Sequence, residues 1–396
     1  MPEKAGQYGE ARRLRGSASV PVQNQSKAPA VINIGPALDC SAVIRLCGRP
    51  YPVQFRNQGA IDAWTRALGG TATWHRWQDR YTLCWQIRQE LFRQLEHRHP
   101  LSPVAGQLIS EDCQRLAVEI STNLKYHLNK GTVIEATPAL ETLLAHSDVD
   151  LGMPMSMVAP PYLAQYLRFG ETAMRNLKVP ASQVPDRFFD GVFCFLTQHA
   201  KYGVPVESCW TLEFVFVSKR QDCYSGHVSL LGDTDLGSTT VGEWLTRVLG
   251  AVRQQPAGEF DRAMHAAVSY VVKVFLYMAL KQARVTEHRD YDAALRRAAG
   301  LGERKRAKLL QRSASLYNGI RVGPETMPSG VPASGAGNGV APHWRRGHFR
   351  MQPYGIGNQQ RKLIFVAPVL VHAEQLQGDA PAPKSYRAGA APVMAA

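Results

Sequence analysis

Apolar residues in the first part of the chain follow the spacing of α-helices. They recur every three or four residues over 81–97 and 110–129, which places them on one face of an amphipathic helix. Two shorter helices are predicted over 60–68 and 138–145. The pattern therefore predicts a mainly helical region over residues 36–150.

After residue 153 the pattern changes to that of β-strands. Aromatic and β-branched residues dominate four short runs bounded by glycine and proline, at 164–169, 188–197, 209–218 and 227–231. Short strands separated by turns indicate an antiparallel or mixed sheet with one face packed. Asp190 and Gly191 interrupt the second run, which predicts either a β-bulge or a polar group aimed toward a site.

The helical pattern returns after residue 238. Thr240 and Glu243 have the spacing of a capping box and begin one helix. The segment 260–284 is apolar on nearly all sides of its middle, which predicts a central core helix. A basic helix is predicted over 289–312, with two glycines weakening its middle.

The last ordered element is a predicted β-hairpin. Its strands are expected over 343–352 and 361–371, around a glycine-containing turn at 355–358. The complete pattern predicts an α+β fold with a helical N-terminal half, a central mostly antiparallel sheet packed by helices, and a C-terminal basic helix and hairpin.

Segments of low complexity divide the chain. Three stretches rich in Pro, Gly and polar residues contain too few apolar residues to form a core, so they predict two disordered ends and one flexible loop. The expected organisation is a disordered extension (1–35), a mainly helical region (36–150), a region of sheet and core helices (151–322), a flexible loop (323–341), a basic C-terminal hairpin (342–377) and a disordered tail (378–396).

Positive charge is concentrated near the C-terminal end. The formal net charge is +14. Residues 281–312 contribute +6, from ten basic and four acidic residues, and residues 343–362 contribute +5, from five basic residues and no acidic one. Clustered cations favour an anionic partner, such as nucleic acid, a membrane surface or an acidic protein.

Cysteine spacing and the length of the apolar runs indicate the cellular environment of the protein. The seven cysteines are widely spaced and include no CxxC pair, which disfavours a disulfide framework or a zinc ribbon and fits a reducing cytoplasm. The longest apolar run, residues 266–280, contains Lys273 and is too short for a membrane span. We therefore expect a cytoplasmic protein with no membrane contact, no metal and no cofactor.

The sequence HWRRGHFR, residues 343–350, is the strongest candidate for a binding site. Arginines alternate there with Trp344 and Phe349, which offers cations for phosphate and rings for stacked bases. The predicted basic helix adds cations at four-residue spacing, suited to phosphate binding. The candidate binding residues are His343, Trp344, Arg345, Arg346, His348, Phe349, Arg350, Arg361, Lys362, Arg304, Lys305, Lys308 and Arg312.

Other interpretations of these residues stay open. His343 and His348 could act as acid and base in a nuclease, with Arg345 stabilising phosphoryl charge. No carboxylate lies nearby in sequence to orient either imidazole, and we assign no catalytic residue. The arginines could instead bind an acidic protein, or belong to a solvated strand and helix that bind nothing.

The C-terminal segment resembles a known family. It contains the pattern Pro-His-x-Arg-Arg-Gly-His, followed by a Gly-x-Gly turn and a proline in the last strand. This pattern is similar to the end of a type V-A anti-CRISPR family carried on mobile elements. The matching residues are Pro342, His343, Arg345, Arg346, Gly347, His348, Gly355, Gly357 and Pro368.

The resemblance implies a function. It implies a non-enzymatic inhibitor of host defence that lowers production of the CRISPR effector nuclease, at the level of its mRNA and its translation. The implied partners are RNA or a ribosome-associated nascent chain, and a protein target of host defence is the further candidate. The implied location is the cytoplasm of a bacterial host cell.

Overall fold

A computed structural model provides the fold of the chain. It describes residues 49–57, 59–68, 80–98, 103–150, 152–158, 160–176, 187–198, 210–220, 223–234, 239–252, 259–327 and 343–371. The predicted disordered ends and most of the predicted flexible loop lie outside these residues.

The described elements are both helices and strands, which confirms the α+β class. The strands are β1 (Thr132–Ala136), β2 (Ser147–Asp148), β3 (Ala164–Arg168), β4 (Arg187–Gln198), β5 (Trp210–Arg220), β6 (Cys223–Thr234), β7 (Val285–Arg289), β8 (Asn318–Val322), β9 (His343–Arg345), β10 (Gly347–Tyr354), β11 (Gln360–Val366) and β12 (Val369–Val371). The α-helices are α1 (Tyr51–Asn57), α2 (Ala60–Ala67), α3 (Arg80–Arg98), α4 (Pro103–Leu128), α5 (Pro138–Ala145), α6 (Glu171–Asn176), α7 (Val241–Val252), α8 (Glu259–Met278), α9 (Asp290–Ala299) and α10 (Glu303–Arg312).

A seven-stranded mixed sheet lies at the centre, in the order β6-β5-β4-β3-β1-β8-β7. β1 pairs in parallel with both β3 and β8. The other neighbours pair antiparallel, so the expectation of a mostly antiparallel sheet is confirmed. The sequence pattern did not predict β1, β7 or β8, each of which has five residues.

Both faces of the central strands are buried. On β4, the ring of Phe193 contacts Tyr51 of α1 and Tyr126 of α4, at centroid distances of 6.0 and 5.4 Å. Val192 and Cys194 face the other side, since successive side chains alternate, and they join the main hydrophobic cluster with residues of α7 and α8. The prediction of one packed face is therefore wrong, because helices cover both sides of the strand.

Asp190 produces the predicted bulge in β4. The register between β4 and β5 shifts between Phe189 and Gly191. The Asp190 carboxylate is buried and accepts a hydrogen bond of 2.7 Å from the Tyr166 hydroxyl. A Cβ on Gly191 would lie 2.6 Å from the carbonyl oxygen of Leu167, so the close approach of β3 requires glycine.

The later helices differ from their predicted lengths. α8 ends at Met278 rather than at residue 284. The single basic helix predicted over 289–312 is two helices, α9 and α10, separated at residues 300–302. Gly300 and Gly302 lie in this break, where their low helix propensity ends one helix and precedes the next. Within the described residues, no helix is long and apolar enough to cross a membrane.

The predicted hairpin is present, with two additional pairings. β10 and β11 pair antiparallel around a turn in which Gly355 and Gly357 have positive φ angles of 81° and 66°. β10 also pairs in parallel with β2, and β12 pairs with β9. The hairpin therefore belongs to a separate three-stranded sheet that β2 connects to the preceding region.

Candidate nucleic-acid interface

One face of the C-terminal hairpin is part of the protein core. Phe349 lies opposite Phe365 in the strand register, and their rings stack at a centroid distance of 4.5 Å. Phe365 also contacts Tyr277 of α8 at 6.2 Å, and Phe349 is only 1 % exposed. The prediction that Phe349 stacks on a nucleobase is therefore wrong, because the core encloses its ring.

The hairpin presents four cations to solvent. Arg345, Arg350, Arg361 and Lys362 are exposed. Among the residues that the structure describes, none of the four forms an ion pair. In the described part of the chain, the Arg350 guanidinium donates only to a neutral partner, the Gln352 amide oxygen, at 2.8 Å. We call these four residues the hairpin surface; residues 343–371 contain no acidic residue that could neutralise it.

Arg346 differs from its neighbours because a carboxylate already compensates its charge. Its Nη1 donates to both carboxylate oxygens of Asp148 on β2, at 2.7 and 2.5 Å. Hydrogen bonds between charged groups are among the stronger ones in proteins. Arg346 therefore holds the hairpin against β2, and the predicted phosphate contact would compete with Asp148 for the same guanidinium.

Gly347 sits where the hairpin and its last strand approach most closely. A Cβ on Gly347 would lie 2.6 Å from both the Val366 carbonyl oxygen and Pro368 Cδ. The Gly347 amide donates to the carbonyl oxygen of His146 at 3.0 Å. The glycine and the proline of the recognised motif are thus in direct contact, which gives both a structural reason for their presence.

Trp344 packs on a histidine at the end of α5. The rings of Trp344 and His146 stack at a centroid distance of 4.2 Å with an interplanar angle of 22°. Burial, together with the nearby charges of Arg346 and Lys273, lowers the pKa of His146 to about 4. The stacked imidazole is therefore neutral near pH 7, and it covers part of the ring that the sequence assigned to base stacking.

Lys273 has the partner that its place in an apolar helix requires. Its Nζ donates to the carbonyl oxygen of Leu144 at 3.0 Å. Burial lowers its pKa to about 8, while the nearby Asp148 carboxylate raises it. Lys273 therefore stabilises the junction of α5, α8 and β2, on which the hairpin rests.

The predicted cationic stripe lies on α10, a helix with no buried residue. Arg304, Lys305, Lys308 and Arg312 are all exposed, and within the described ranges none has an ion-pair partner. α10 packs against α9 and the short 3-10 turn after it, whereas the hairpin packs against β2 and α8. The two sets of candidate residues therefore belong to separate elements.

The two histidines of the motif lie on different strands. His343 is in β9 and His348 in β10, with Arg346 at the break between them. Asp148, in register with His348, gives its carboxylate to Arg346. In the described part of the chain no three His, Cys, Asp or Glu side chains group as a metal site. The nuclease interpretation gains no support from this arrangement.

The family follows from sequence comparison. The model of the AcrVA2-like family, described as the anti-CRISPR type V subtype A2 family, matches residues 134–373, which is more than half of the chain. The chain belongs to this anti-CRISPR family. The match begins within β1 and extends beyond the hairpin, so the predicted resemblance to a type V-A anti-CRISPR family is confirmed.

The chain is similar to a solved structure of an anti-CRISPR protein. The solved "Crystal structure of AcrVA2" is similar at 11 % identity and a TM-score of 0.41, covering 79 % of this chain and 98 % of that chain. No curated protein sequence matches the chain.

Sequence reasoning missed the residues that hold the anti-CRISPR hairpin in place. Asp148 and His146 lie about 200 residues before the motif, in segments where a lone carboxylate or imidazole is unremarkable. No local pattern links them to Arg346 or Trp344, because the contacts depend on the pairing of β2 with β10. The available signal was the absence of acidic residues near the arginines, and it did not identify Asp148 as the distant partner of Arg346.

Proposed function

We propose that this anti-CRISPR protein lowers the production of a CRISPR effector nuclease and that the hairpin surface binds RNA to do so. Membership of the family supports the inhibition of host defence. The observation that carries the RNA proposal is the set of four exposed cations without a carboxylate partner among the described residues. RNA, free or in a translating ribosome, is the anion that such a surface would meet.

Arg346 and the hairpin surface differ in how readily their charges can bind phosphate. A guanidinium that is already paired must give up its carboxylate before it binds phosphate, as Arg346 would. Arg345 and Arg350 have no carboxylate partner in the described structure, so phosphate would displace no ion pair there, only water and, at Arg350, the neutral Gln352 amide oxygen. Arginine also binds phosphate through two parallel hydrogen bonds, which favours it over a point charge.

The hairpin is a suitable carrier because its other face is fixed. The Phe349–Phe365 pair anchors β10 and β11 to the core, so Arg350, Arg361 and Lys362 project from a rigid two-stranded element. A rigid surface loses less conformational entropy on binding than a loop does. This arrangement supports continuous contact with a phosphate backbone rather than recognition by a flexible tail.

Salt dependence tests the RNA proposal. Each phosphate contact with single-stranded nucleic acid contributes about 0.7 to the slope of log K against log salt. The double variant Arg345→Gln/Arg350→Gln should bind single-stranded RNA more weakly, with a slope smaller by about 1.4. Fluorescence anisotropy at several salt concentrations measures both quantities.

A charge-matched control separates a local effect from a change in net charge. Arg175→Gln/Arg321→Gln also removes two exposed arginines, which pair with Glu171 and Glu325 elsewhere on the protein. This control should keep the slope of the unmodified protein. Equal slopes for all three proteins would refute phosphate binding by the hairpin surface. Capture of an acidic protein that survives nuclease treatment, with no RNA binding, would favour a protein-binding inhibitor instead.

A further inference from the structure

A polar cavity is formed by residues outside the hairpin surface. It has a volume of about 480 Å³ and is formed by α1, the end of α4, the end of β7 and the start of α9. The size falls within the range of pockets that hold small molecules, roughly 300 to 1,000 Å³. We call it the α1–α9 cavity.

The lining of this cavity is strongly cationic. It contains Arg56, Lys130, Arg289 and Arg296, against the single carboxylate of Asp292. Arg289 is compensated, since it pairs with Glu287 and lies 3.5 Å from Asp292. Within the described structure, the other three cations have no carboxylate partner. The cavity therefore has an excess of positive charge that its own residues do not neutralise.

Arg56 is the most constrained of these cations. Its Nη2 donates to the carbonyl oxygens of Leu316 and Ala314, at 2.8 and 3.1 Å. Its guanidinium carbon lies 3.8 Å from the centroid of the Tyr291 ring. Burial is the main cause that lowers the pKa of Arg56. A partly buried cation held only by neutral groups is costly, and a bound anion would offset that cost.

Aromatic side chains form another part of the lining. Tyr126, Tyr291 and Tyr317 all line the cavity. Tyr126 is 3 % exposed, and its hydroxyl has no hydrogen-bond partner among the described residues. A Cβ on Gly131 would lie 2.3 Å from the Tyr126 ring, so a glycine is required beside it. The partly exposed rings of Tyr291 and Tyr317 provide contact area for a flat aromatic ligand.

His127 adds no charge to the cavity near neutral pH. Burial lowers its pKa to about 4, although its hydrogen bond with the Pro52 carbonyl opposes that shift. The Nε2–oxygen distance is 2.9 Å. The imidazole therefore serves as a neutral wall, and the positive potential comes from the arginines and the lysine.

We propose that the α1–α9 cavity binds a nucleotide, with its phosphate at Arg56, Lys130 and Arg296 and its base beside Tyr291 and Tyr317. Three cations without carboxylate partners in the described structure suit the double negative charge of a phosphate monoester better than a single carboxylate. The nucleotide can be free or can be the phosphorylated end of an RNA chain. The site does not depend on RNA binding by the hairpin surface.

Calorimetric titration of the full chain with adenosine 5′-monophosphate tests this site. Lys130→Gln and Arg296→Gln should each weaken binding about tenfold, which corresponds to the loss of one charged hydrogen bond. Arg297→Gln is the matched control, because Arg297 is an exposed neighbour on the same helix that does not line the cavity. It should leave the affinity within about twofold, and circular dichroism confirms that each variant is folded.

Adenosine and inorganic phosphate define the ligand class. Each should bind far more weakly than the monophosphate, because each lacks half of the recognised groups. Absence of saturable binding by the monophosphate, equal binding by either fragment, or equal weakening by Arg297→Gln would overturn the proposal.

A further binding experiment distinguishes a free nucleotide from the phosphorylated end of an RNA chain. Oligoribonucleotides with and without a 5′-phosphate are compared in the Arg345→Gln/Arg350→Gln background, which removes the hairpin contribution. Tighter binding of the phosphorylated strand, lost in Arg296→Gln, would assign the cavity to an RNA end. Equal binding of both strands, together with binding of the monophosphate, would assign it to a free nucleotide.

Discussion

At the scale of single residues, the motif HWRRGHFR divides into supporting and exposed positions. Phe349 packs in the core, Arg346 pairs with Asp148, and Gly347 allows the last strands to approach. Arg345 and Arg350 point their charges to solvent without a carboxylate partner in the described structure. Adjacent residues of the same motif therefore have different functions, which their chemical type alone does not reveal.

Gly347→Ala should destabilise the protein. The new Cβ would meet the Val366 carbonyl oxygen at 2.6 Å and the Pro368 nitrogen at 2.7 Å, and these backbone atoms can move only if the hairpin shifts. Overpacking of this kind costs about 1 to 3 kcal/mol in the free energy of unfolding. Urea denaturation measures the change.

Gly302→Ala is the control for this substitution. A Cβ on Gly302 meets no atom within 4 Å, and its φ of −60° is accessible to alanine. Its free energy of unfolding should change by less than about 0.5 kcal/mol, as for most surface substitutions. A loss for Gly347→Ala no larger than that of the control would contradict the close packing inferred at the hairpin.

At the scale of elements, specific contacts hold one strand of the hairpin and the start of one core helix. β10 is held by β2, and α7 begins at a reciprocal pair of hydrogen bonds between Thr240 and Glu243. α7 contributes Trp244, which contacts Phe214 of the sheet at a centroid distance of 5.4 Å. The start of α7 therefore positions one wall of the core to which α8 and the hairpin also belong.

Thr240→Ala should weaken the start of α7. It removes the hydroxyl that accepts the Glu243 amide and donates to its carboxylate. Loss of an N-terminal cap costs about 1 kcal/mol. Thr246→Ala, in the same helix, removes a hydroxyl that contacts only the Gly242 carbonyl oxygen, and should have a smaller effect. Thermal unfolding of both variants compares them, and equal shifts in Tm would contradict a capping role.

At the scale of the whole molecule, local patterns predicted most long elements and few of the contacts between them. Helix α5 and the bulge at Asp190 were predicted because period and turn chemistry are local properties. The short strands β1, β7 and β8 were missed, and the basic helix was predicted as continuous across its glycine break. The pair of Arg346 and Asp148 joins residues 198 positions apart, which no local pattern encodes.

The candidate site was only partly predictable, because its composition is local but its pairing depends on distant parts of the chain. The excess of cations in the hairpin is a property of composition, so the sequence alone indicated it. Which of those cations stay unpaired depends on β2, which pairs with β10 from a distant part of the chain. The α1–α9 cavity collects residues from positions 53 to 318 and has no sequence signature at all.

The most direct test of the proposed function measures the effector transcript and the effector protein in a bacterial host with a type V-A system. Expression of this protein should lower both, whereas Arg345→Gln/Arg350→Gln should leave both near the level without inhibitor. The control Arg175→Gln/Arg321→Gln, expressed at equal abundance, should act like the unmodified protein. Unchanged transcript and effector protein in cells where nuclease activity is nevertheless inhibited would contradict the account.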